Sequence, residues 1–448
     1  MLTSEENELL CRVEGEAPMG RMMRRYWIPA CMSEEVAEPD GDPVRLRLLG
    51  EDLLAFRDSN GRLGVIGEYC PHRRASLLFG RNEECGLRCL YHGWKFDVEG
   101  KVTDMPSEPP ESRLKERVRH TAYPTREAGG FVWVYMGDPA ETPEFRPPPW
   151  LRSPTTRVGI VKMHVAANWA QVLEGAIDSA HSSTLHSSNI RPGKVAQTTA
   201  GANGLSRPST DKAPRLQVEP TAFGMRYAAI RRPIVDADTH DYVRITVFVA
   251  PLTVLIPPNN RYALAQLSVP MDDTNTMFYF VSFSEGEGID QEAFRKLMGA
   301  RVGIDLDENY RKKRTLENRY LQDRKAMRLG NFTGIYGIPT QDMAMWETMG
   351  AVADRSKEIL GASDVAIVQF RRMMVDAVRA FLDGAPALGS ADGVPRPSIR
   401  SFEGIVPKST DWRALARPAS ADEAPEPAEP TQPAAPPEPA ALADSRAS

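Results

Sequence analysis

NWAQVLEGAIDSAHSSTLH, residues 168–186, decides how this chain is read. It holds Glu174, Asp178, His181 and His186. On a helix, Glu174, Asp178 and His181 share one side, at i−4, i and i+3. His186 does not, because five residues at about 100° each set it about 140° away from His181. Both imidazoles reach one metal only if the helix ends or distorts between them. Ser182, Ser183 and Thr184 are weak helix formers that divert backbone hydrogen bonds, so the break is expected there. Two His and a carboxylate from farther along, with coordination positions left open, form the ligand set of non-haem Fe(II) oxygen chemistry.

The bulk properties narrow the classes. A chain of 448 residues is too long for one small domain and suggests two. A net charge of −5 argues against a nucleic-acid binder or a basic membrane-surface protein. The start, MLTSEENELL, is acidic and polar where a secretory signal would be apolar. The most apolar run, residues 245–256, is too short to span a bilayer and carries Pro251, so a buried strand pair is expected. Five cysteines, Cys11, Cys31, Cys70, Cys85 and Cys89, are odd in number and unevenly spaced, which is no disulfide framework. The expectation is a cytoplasmic protein with no membrane and no nucleic-acid partner.

Along the chain, Thr3 to Glu6 reads as a capping box that starts a first helix. The expected organisation is a helical arm at 1–25, a compact β domain at 26–145, a proline-rich linker near 144–154 and a second domain at 155–410. Alternating runs at 44–49, 53–57 and 63–69, with a turn at Ser59-Asn60-Gly61, predict hairpins in the β domain. In the second domain, strands are predicted at 158–165, 225–230, 242–249, 262–269 and 276–283, and a long loop at 196–215. Helical patterns run over 291–327 and 354–382, giving α+β, an antiparallel sheet with flanking helices. Residues 417–448 collapse to Ala, Pro, Glu and Ser, a composition that predicts a disordered tail.

A second constellation lies upstream. Cys70-Pro-His72 and Cys89-Leu-Tyr-His92 give C-x-H and C-x2-H, one of each ligand type per loop. Zinc fingers usually pair Cys with Cys and His with His. Two Cys on one iron and two His on the other is the pattern of a Rieske [2Fe–2S] centre. Respiratory-type Rieske proteins carry two further cysteines in these loops, where this chain has Ala75 and Tyr91.

With these residues on the page, the chain resembles the oxygenase subunits of Rieske non-haem iron ring-hydroxylating oxygenases, in their phthalate and phenoxybenzoate branch. The resemblance covers about residues 1–410 and rests on CPHRRASLLFGRNEECGLRCLYHGWKFD, NWAQVLEGAIDSAHSSTLH and FTGIYGIPTQDMAMWETMG. It implies an all-β Rieske domain followed by a helix-grip catalytic domain. It implies that Cys70, His72, Cys89 and His92 hold the cluster and that His181 and His186 hold a mononuclear Fe(II). The third ligand is sought among Asp342, Asp354, Asp364 and Asp376. Asp342 is preferred because it sits in a D-x4-E segment like the family's, with Glu347 following. Asp354 reads as a helix cap, and Asp364 and Asp376 as polar-face charges. Asp178 is then a bridge between one subunit's cluster and its neighbour's iron, in a homotrimer or stacked trimers. Arg74 departs from the family, where many relatives carry Gly, and the tail has no family counterpart.

The resemblance also implies an activity, cis-dihydroxylation of a carboxylated aromatic such as phthalate with O2. Electrons from NADH would arrive through a separate flavin and iron–sulfur reductase, since no nicotinamide or flavin fingerprint is present. Arg207 and Arg244 are carried over as the groups that bind the carboxylates, because guanidinium forks pair with them bidentately. The alternative is a monooxygenase, an O-demethylase or a diaryl-ether-cleaving enzyme on the same scaffold. Asn168 is either within reach of the iron or a helix cap. His120, His164 and His240 are expected to be structural.

Overall fold

The capping box is present. Thr3 accepts from Glu6 N, Glu6 accepts from Thr3 N, and the helix Ser4–Cys11 follows. Leu10 and Cys11, with Met19, Met22 and Met23 of the helix Pro18–Met23, enter a core shared with Phe370, Met374 and Val378 of the helix Val365–Leu382. The N-terminal arm therefore packs on the second half of the chain as well as on the β half, to which Arg24–Glu51 and Glu14–Arg47 ion pairs also join it. The computed structural model describes residues 2–193, 205–258, 263–285, 289–391 and 393–418. The expected tail lies outside the described residues except for its first two positions. The predicted loop at 196–215 does so up to residue 204.

The β half is three small antiparallel sheets. One is Trp27–Met32, Phe131–Tyr135 and Thr125–Ala128, and a second is Val44–Leu48, Glu51–Arg57, Leu63–Gly67 and Ala122–Tyr123. The third, Arg81–Glu83, Gly86–Arg88, Lys95–Phe96 and Val102–Asp104, carries the Cys/His loops. The predicted turn at Ser59 to Gly61 is made by buried Asp58, whose carboxylate accepts from the Asn60 and Arg62 amides at 3.0 and 2.9 Å. Gly61 takes φ +76° there, a conformation that costs glycine nothing.

The proline-rich segment is no loose linker. Trp150 is fully buried and packs on Phe131 and Trp133 of the β half, with ring centroids 5.8 and 6.0 Å apart.

The second half is an antiparallel meander. Its spatial order is Thr156–Val165, Thr276–Glu285, Ala263–Pro270, Thr253–Ile256, His240–Val249, Gly224–Arg231 and Arg215–Thr221, with Phe402–Pro407 pairing His240–Val249. Residues 245–256 form the expected strand pair. Four further strands among the described residues, Arg215–Thr221, Phe402–Pro407 and the short parallel pair Ile190–Pro192 and Leu205–Arg207, were not predicted. The first is only half-buried and carries Pro220, so its apolar alternation is faint.

The helical reading of 291–327 is corrected. The helix Gln291–Met298 stops at Gly299, with φ +68°. Until Arg324–Arg328 the chain turns on side-chain acceptors: Asp305 bonds Arg301, Asp307 accepts two backbone amides, and Asn318 caps Thr315. Charged residues at helical spacing there serve turns, because short polar side chains compete for the backbone.

Candidate active site

The two Cys/His loops share one geometry. Cys70 N donates to Ala75 O and Arg74 N to Cys70 O, both at 2.9 Å. Cys89 N donates to Trp94 O and Gly93 N to Cys89 O, at 2.8 and 3.0 Å. The fifth residue of each loop is left-handed, Gly93 at φ +77° and Arg74 at φ +61°. Arg74 thus occupies the position that glycine fills in the other loop, and its guanidinium sits 4.9 Å from the Tyr69 ring.

The loops bring His72 and His92 within 4.4 Å, and His72 stacks on Trp94 at 4.5 Å. His72 Nδ1 is buried with no hydrogen-bond partner, which fits a nitrogen meant for a metal. Burial pushes the Cys70 thiol up to about 11. Only coordination would make it a thiolate at neutral pH. Two thiols and two imidazoles on facing loops suit a [2Fe–2S] cluster with mixed ligands.

The helix that leads to the two candidate histidine ligands is shorter than its sequence suggests. It runs Trp169–Ile177 and ends before Asp178. Tyr227 donates its hydroxyl to Ile177 O, and the Asp178 carboxylate accepts from the Ala180 and His181 amides at 2.7 and 3.2 Å. These bonds replace the helical ones. The break expected between the two histidines therefore comes before both, and His181 lies in a 3-10 turn, His181–Ser183.

The turn sends both rings to one place. His186 Nε2 and His181 Nε2 lie 3.0 and 3.4 Å from Asp342 Oδ1. His181, His186 and Asp342 each offer one ligand atom, all within 4.8 Å of one another. Asp342 comes from the helix Ile338–Thr348. That helix approaches because Gly175 has no Cβ; one would lie 2.4 Å from the Trp346 ring.

The outer nitrogens are held as well. Gln341 Nε2 donates to Asn189 Oδ1 and Ile335 O, at 3.0 and 2.9 Å. This turns Gln341 Oε1 toward His186 Nδ1, 2.8 Å away. An amide oxygen only accepts, so Nδ1 carries the proton and Nε2 is left as a lone-pair donor. Asp178 Oδ2 faces His181 Nδ1 at 3.4 Å. Burial works to raise the Asp178 carboxyl, but the bonds and charge of His181 outweigh it and keep it below the usual range. Sequence reasoning missed Gln341; its one signal was its place beside Asp342 in the quoted segment.

The other carboxylates are occupied elsewhere. Asp354 caps a 3-10 turn, Asp364 accepts from Gly361 N, and Asp376 pairs with Arg379. Glu347 accepts from Ala166 N and Lys312 Nζ, at 3.0 and 2.7 Å, and from Tyr320. Glu174 holds Arg355 and Arg371, each Nε at 2.8 Å. Burial alone would raise Glu174, yet the two guanidiniums keep it below the ordinary range. Asn168 is a helix cap: it accepts from Ala170 N at 3.0 Å and donates to Cys11 O and Asp273 O. His120, His164 and His240 bond Gly67 O, Asn275 and Thr239.

A cavity opens beside the His/His/Asp group, with Ile256, Leu264, Phe278 and Phe280 on its walls. Arg207 and Arg244 both line it. Arg244 is committed: it pairs with Glu403 at 3.1 Å and donates to Tyr242 and to Pro257 O. Arg207 is buried, yet among the described residues its guanidinium bonds only the Ser183 and Ser182 hydroxyls, at 3.2 and 3.1 Å. Its Nε has no partner. Asp178 and His181 also border a second depression on the outer surface, beside Met345, Met349 and Phe332.

Two family models match the chain, a Rieske [2Fe-2S] domain over residues 26–124 and a LigXa C-terminal domain like model over 134–434. The phthalate 4,5-dioxygenase oxygenase subunit of Pseudomonas putida is 59% identical over 414 residues, 92% of this chain and 94% of that one. The 3-chlorobenzoate-3,4-dioxygenase oxygenase subunit of Comamonas testosteroni is 39% identical over 430 residues, 92% and 97%. The solved structure of dicamba monooxygenase bound to 3,6 dichlorosalicylic acid superposes with a TM-score of 0.54 at 16% identity, covering 81% of this chain and 99% of that one.

Proposed function

The chain belongs to the Rieske non-haem iron oxygenases, as an oxygenase subunit with a [2Fe–2S] cluster and a mononuclear iron, and from this premise we propose that it cis-dihydroxylates phthalate or a closely related aryl dicarboxylate. The observation that carries the substrate class is Arg207, a buried guanidinium in the cavity beside His181, His186 and Asp342 that no carboxylate contacts among the described residues. A buried cation without a counter-charge is costly, and an anionic ligand supplies one. Among the curated relatives, those named for phthalate, 3-chlorobenzoate and phenoxybenzoate act by name on carboxylated rings.

Cys70, His72, Cys89 and His92 would hold the cluster, which would supply single electrons, and His181, His186 and Asp342 would hold the iron, which would supply O2 activation. The balance is one O2, two electrons and two protons added to the ring. The protein's own work is placement. The Arg207 fork, held from behind by Ser182 and Ser183, takes a carboxylate, and Arg244 lies within the same cavity. Phe278 and Phe280 give the ring an apolar wall. Gln341 and Asp178 keep both imidazoles with Nε2 inward.

Electrons come from a separate reductase or ferredoxin, as in two-component systems of this family. Asp178 is read as the joint with a neighbouring subunit in a head-to-tail trimer. Two features support this. Phe79, Leu90 and Tyr91 stand 70, 62 and 55% exposed beside the cluster loops. The outer depression at Asp178 offers the complementary apolar surface. Among the described residues no helix is long and apolar enough to cross a membrane. All five cysteines are free, which suits the cytoplasm.

Turnover with reductase, NADH and phthalate tests the reading. The expected product has gained both oxygens of one O2 and two hydrogens. A monohydroxylated product, or a phenol with formaldehyde, would place the chain among the monooxygenases instead. Arg207→Ala is expected to raise KM for phthalate far more than for its dimethyl ester; an equal effect on both would remove Arg207 from carboxylate binding.

A further inference from the structure

Behind Arg207 stands a second buried guanidinium that the reading above does not use. Arg231 ends the strand Gly224–Arg231 and is 1% exposed. It does not line the cavity. Its Nη2 donates to Ser179 O at 2.7 Å and reaches Ser183 Oγ at 3.5 Å, while its Nε has no partner. Ser183 Oγ also accepts from Arg207, at 3.2 Å. One hydroxyl oxygen thus faces two cations, which puts the two guanidiniums within one hydroxyl of each other. Arg244 is the third cation of the group, and its Glu403 is the one carboxylate in contact with any of the three among the described residues.

We propose that Arg231 is a positioning residue whose buried charge makes this site prefer a dianionic aromatic acid to a monoanionic one. The inference rests on the aryl-carboxylate reading of the cavity. Among the described residues, Arg207 and Arg231 touch hydroxyls and a carbonyl but no carboxylate, and Asp211 acts on Arg231 only from beyond contact. A divalent metal at the neighbouring site has Asp342 and Asp178 to balance it, so it does not consume this excess. A ligand with two carboxylates neutralises the group. A ligand with one leaves a buried charge uncompensated, which is unfavourable in a low-dielectric interior. Burial first, then the repulsion of Arg244, pulls Arg231 down to about 10 and Arg207 to about 9. Both stay cationic at neutral pH, in a site that disfavours them until an anion arrives.

Arg231 also fixes Ser179 and Ser183, and through Ser183 the direction of the Arg207 fork. Charge and tether must therefore be separated. The test is calorimetric binding of phthalate, benzoate and monomethyl phthalate to the resting holoenzyme, with iron content and ligand-free Tm measured on each protein. In Arg231→Gln the preference for phthalate over either monoanion is expected to fall on the order of tenfold, as one lost charge nearby predicts. Its ligand-free Tm is expected at or above wild type, since an uncompensated buried charge has gone. Arg231→Lys keeps the charge, loses the fork and is expected to keep most of the preference.

An unchanged preference in Arg231→Gln overturns the proposal. So does Arg231→Lys behaving like Arg231→Gln, because the bonds to Ser179 and not the charge would then matter. Failure of both Arg231→Gln and Arg231→Met to fold makes the residue a structural tether and also overturns it. If wild type itself shows no preference for phthalate, the dicarboxylate reading of the cavity falls, and this proposal with it. A wild type with the preference and variants that retain it would sink this proposal alone.

Discussion

Gln341 sets which nitrogen of His186 is free for a metal. Its amide is oriented by Asn189 and Ile335 O, so its oxygen meets Nδ1. Gln341→Leu removes that acceptor and lets the ring flip or change tautomer. Iron affinity is expected to fall about 10- to 100-fold, as for other lost partners of metal-bound imidazoles. Competition with a chelator measures it, and retention of iron at the wild-type level would count against the tautomer argument. Arg74 raises a separate question of strain. A left-handed non-glycine residue costs roughly 1–2 kcal/mol, and glycine adds about 0.5–1 kcal/mol of backbone entropy on folding. Arg74→Gly is therefore expected to leave Tm unchanged or slightly raised with the cluster's absorbance intact. Persistence of Arg at this site is not required by the turn.

At the scale of elements, two helices meet to bring three ligands together, and glycine decides how closely. Gly175→Ala puts a methyl group into the Trp346 ring. Because Trp346 is buried, the helices must move apart. The expected result is lost mononuclear iron with the cluster retained, read as iron per chain against the cluster's absorbance. The same helix is tied down by Glu174. It joins Arg355, which also bonds Asn7 and Cys11 of the N-terminal helix, to Arg371 of the long C-terminal helix. Glu174→Ala leaves buried Arg355 without its carboxylate, while Arg371 keeps Glu358, and is expected to cost about 3–5 kcal/mol in denaturant unfolding. The pH dependence follows from the direction of its shift. A carboxylate held below its ordinary value of 4.5 contributes its full stability above that value. The contribution is lost as pH falls through the lower, folded-state value. Wild type should therefore lose stability more steeply than Glu174→Gln on acidification below that ordinary value.

For the whole molecule, the two metal-binding regions face outward in different places. The cluster loops present Phe79, Leu90 and Tyr91, and Asp178 borders a depression on the other half. A head-to-tail contact would cover both. If the proposed head-to-tail trimer forms through this contact, Leu90→Asp with Tyr91→Asp is expected to shift the sedimenting species toward monomer and to abolish turnover while both metals remain. A double variant that stays trimeric would require another interface.

The cluster loops were legible because C-x-H and C-x2-H are local, and each loop closes through its own backbone bonds. The capping box at Thr3 and Glu6 was legible for the same reason, whereas Asn168 stood open between an iron contact and a cap until the fold made it the cap. The end of the metal-binding helix was not legible. Its cause is Tyr227, fifty positions away, which takes the carbonyl of Ile177. Nor could sequence alone say that Gln341 orients His186, that Gly175 sets the helix spacing, or that the N-terminal arm packs against the C-terminal helix. By itself, the sequence determined the ligand types and the order of β and α+β halves, since both are written in short-range spacing and alternation. Only the tertiary structure decided which of the buried cations meet a carboxylate among the described residues, as Arg244 does and Arg207 and Arg231 do not. Arg207, Arg231 and Arg244 lie on separate strands, and whether a buried cation has a counter-charge depends on what folding places within a few ångströms of it.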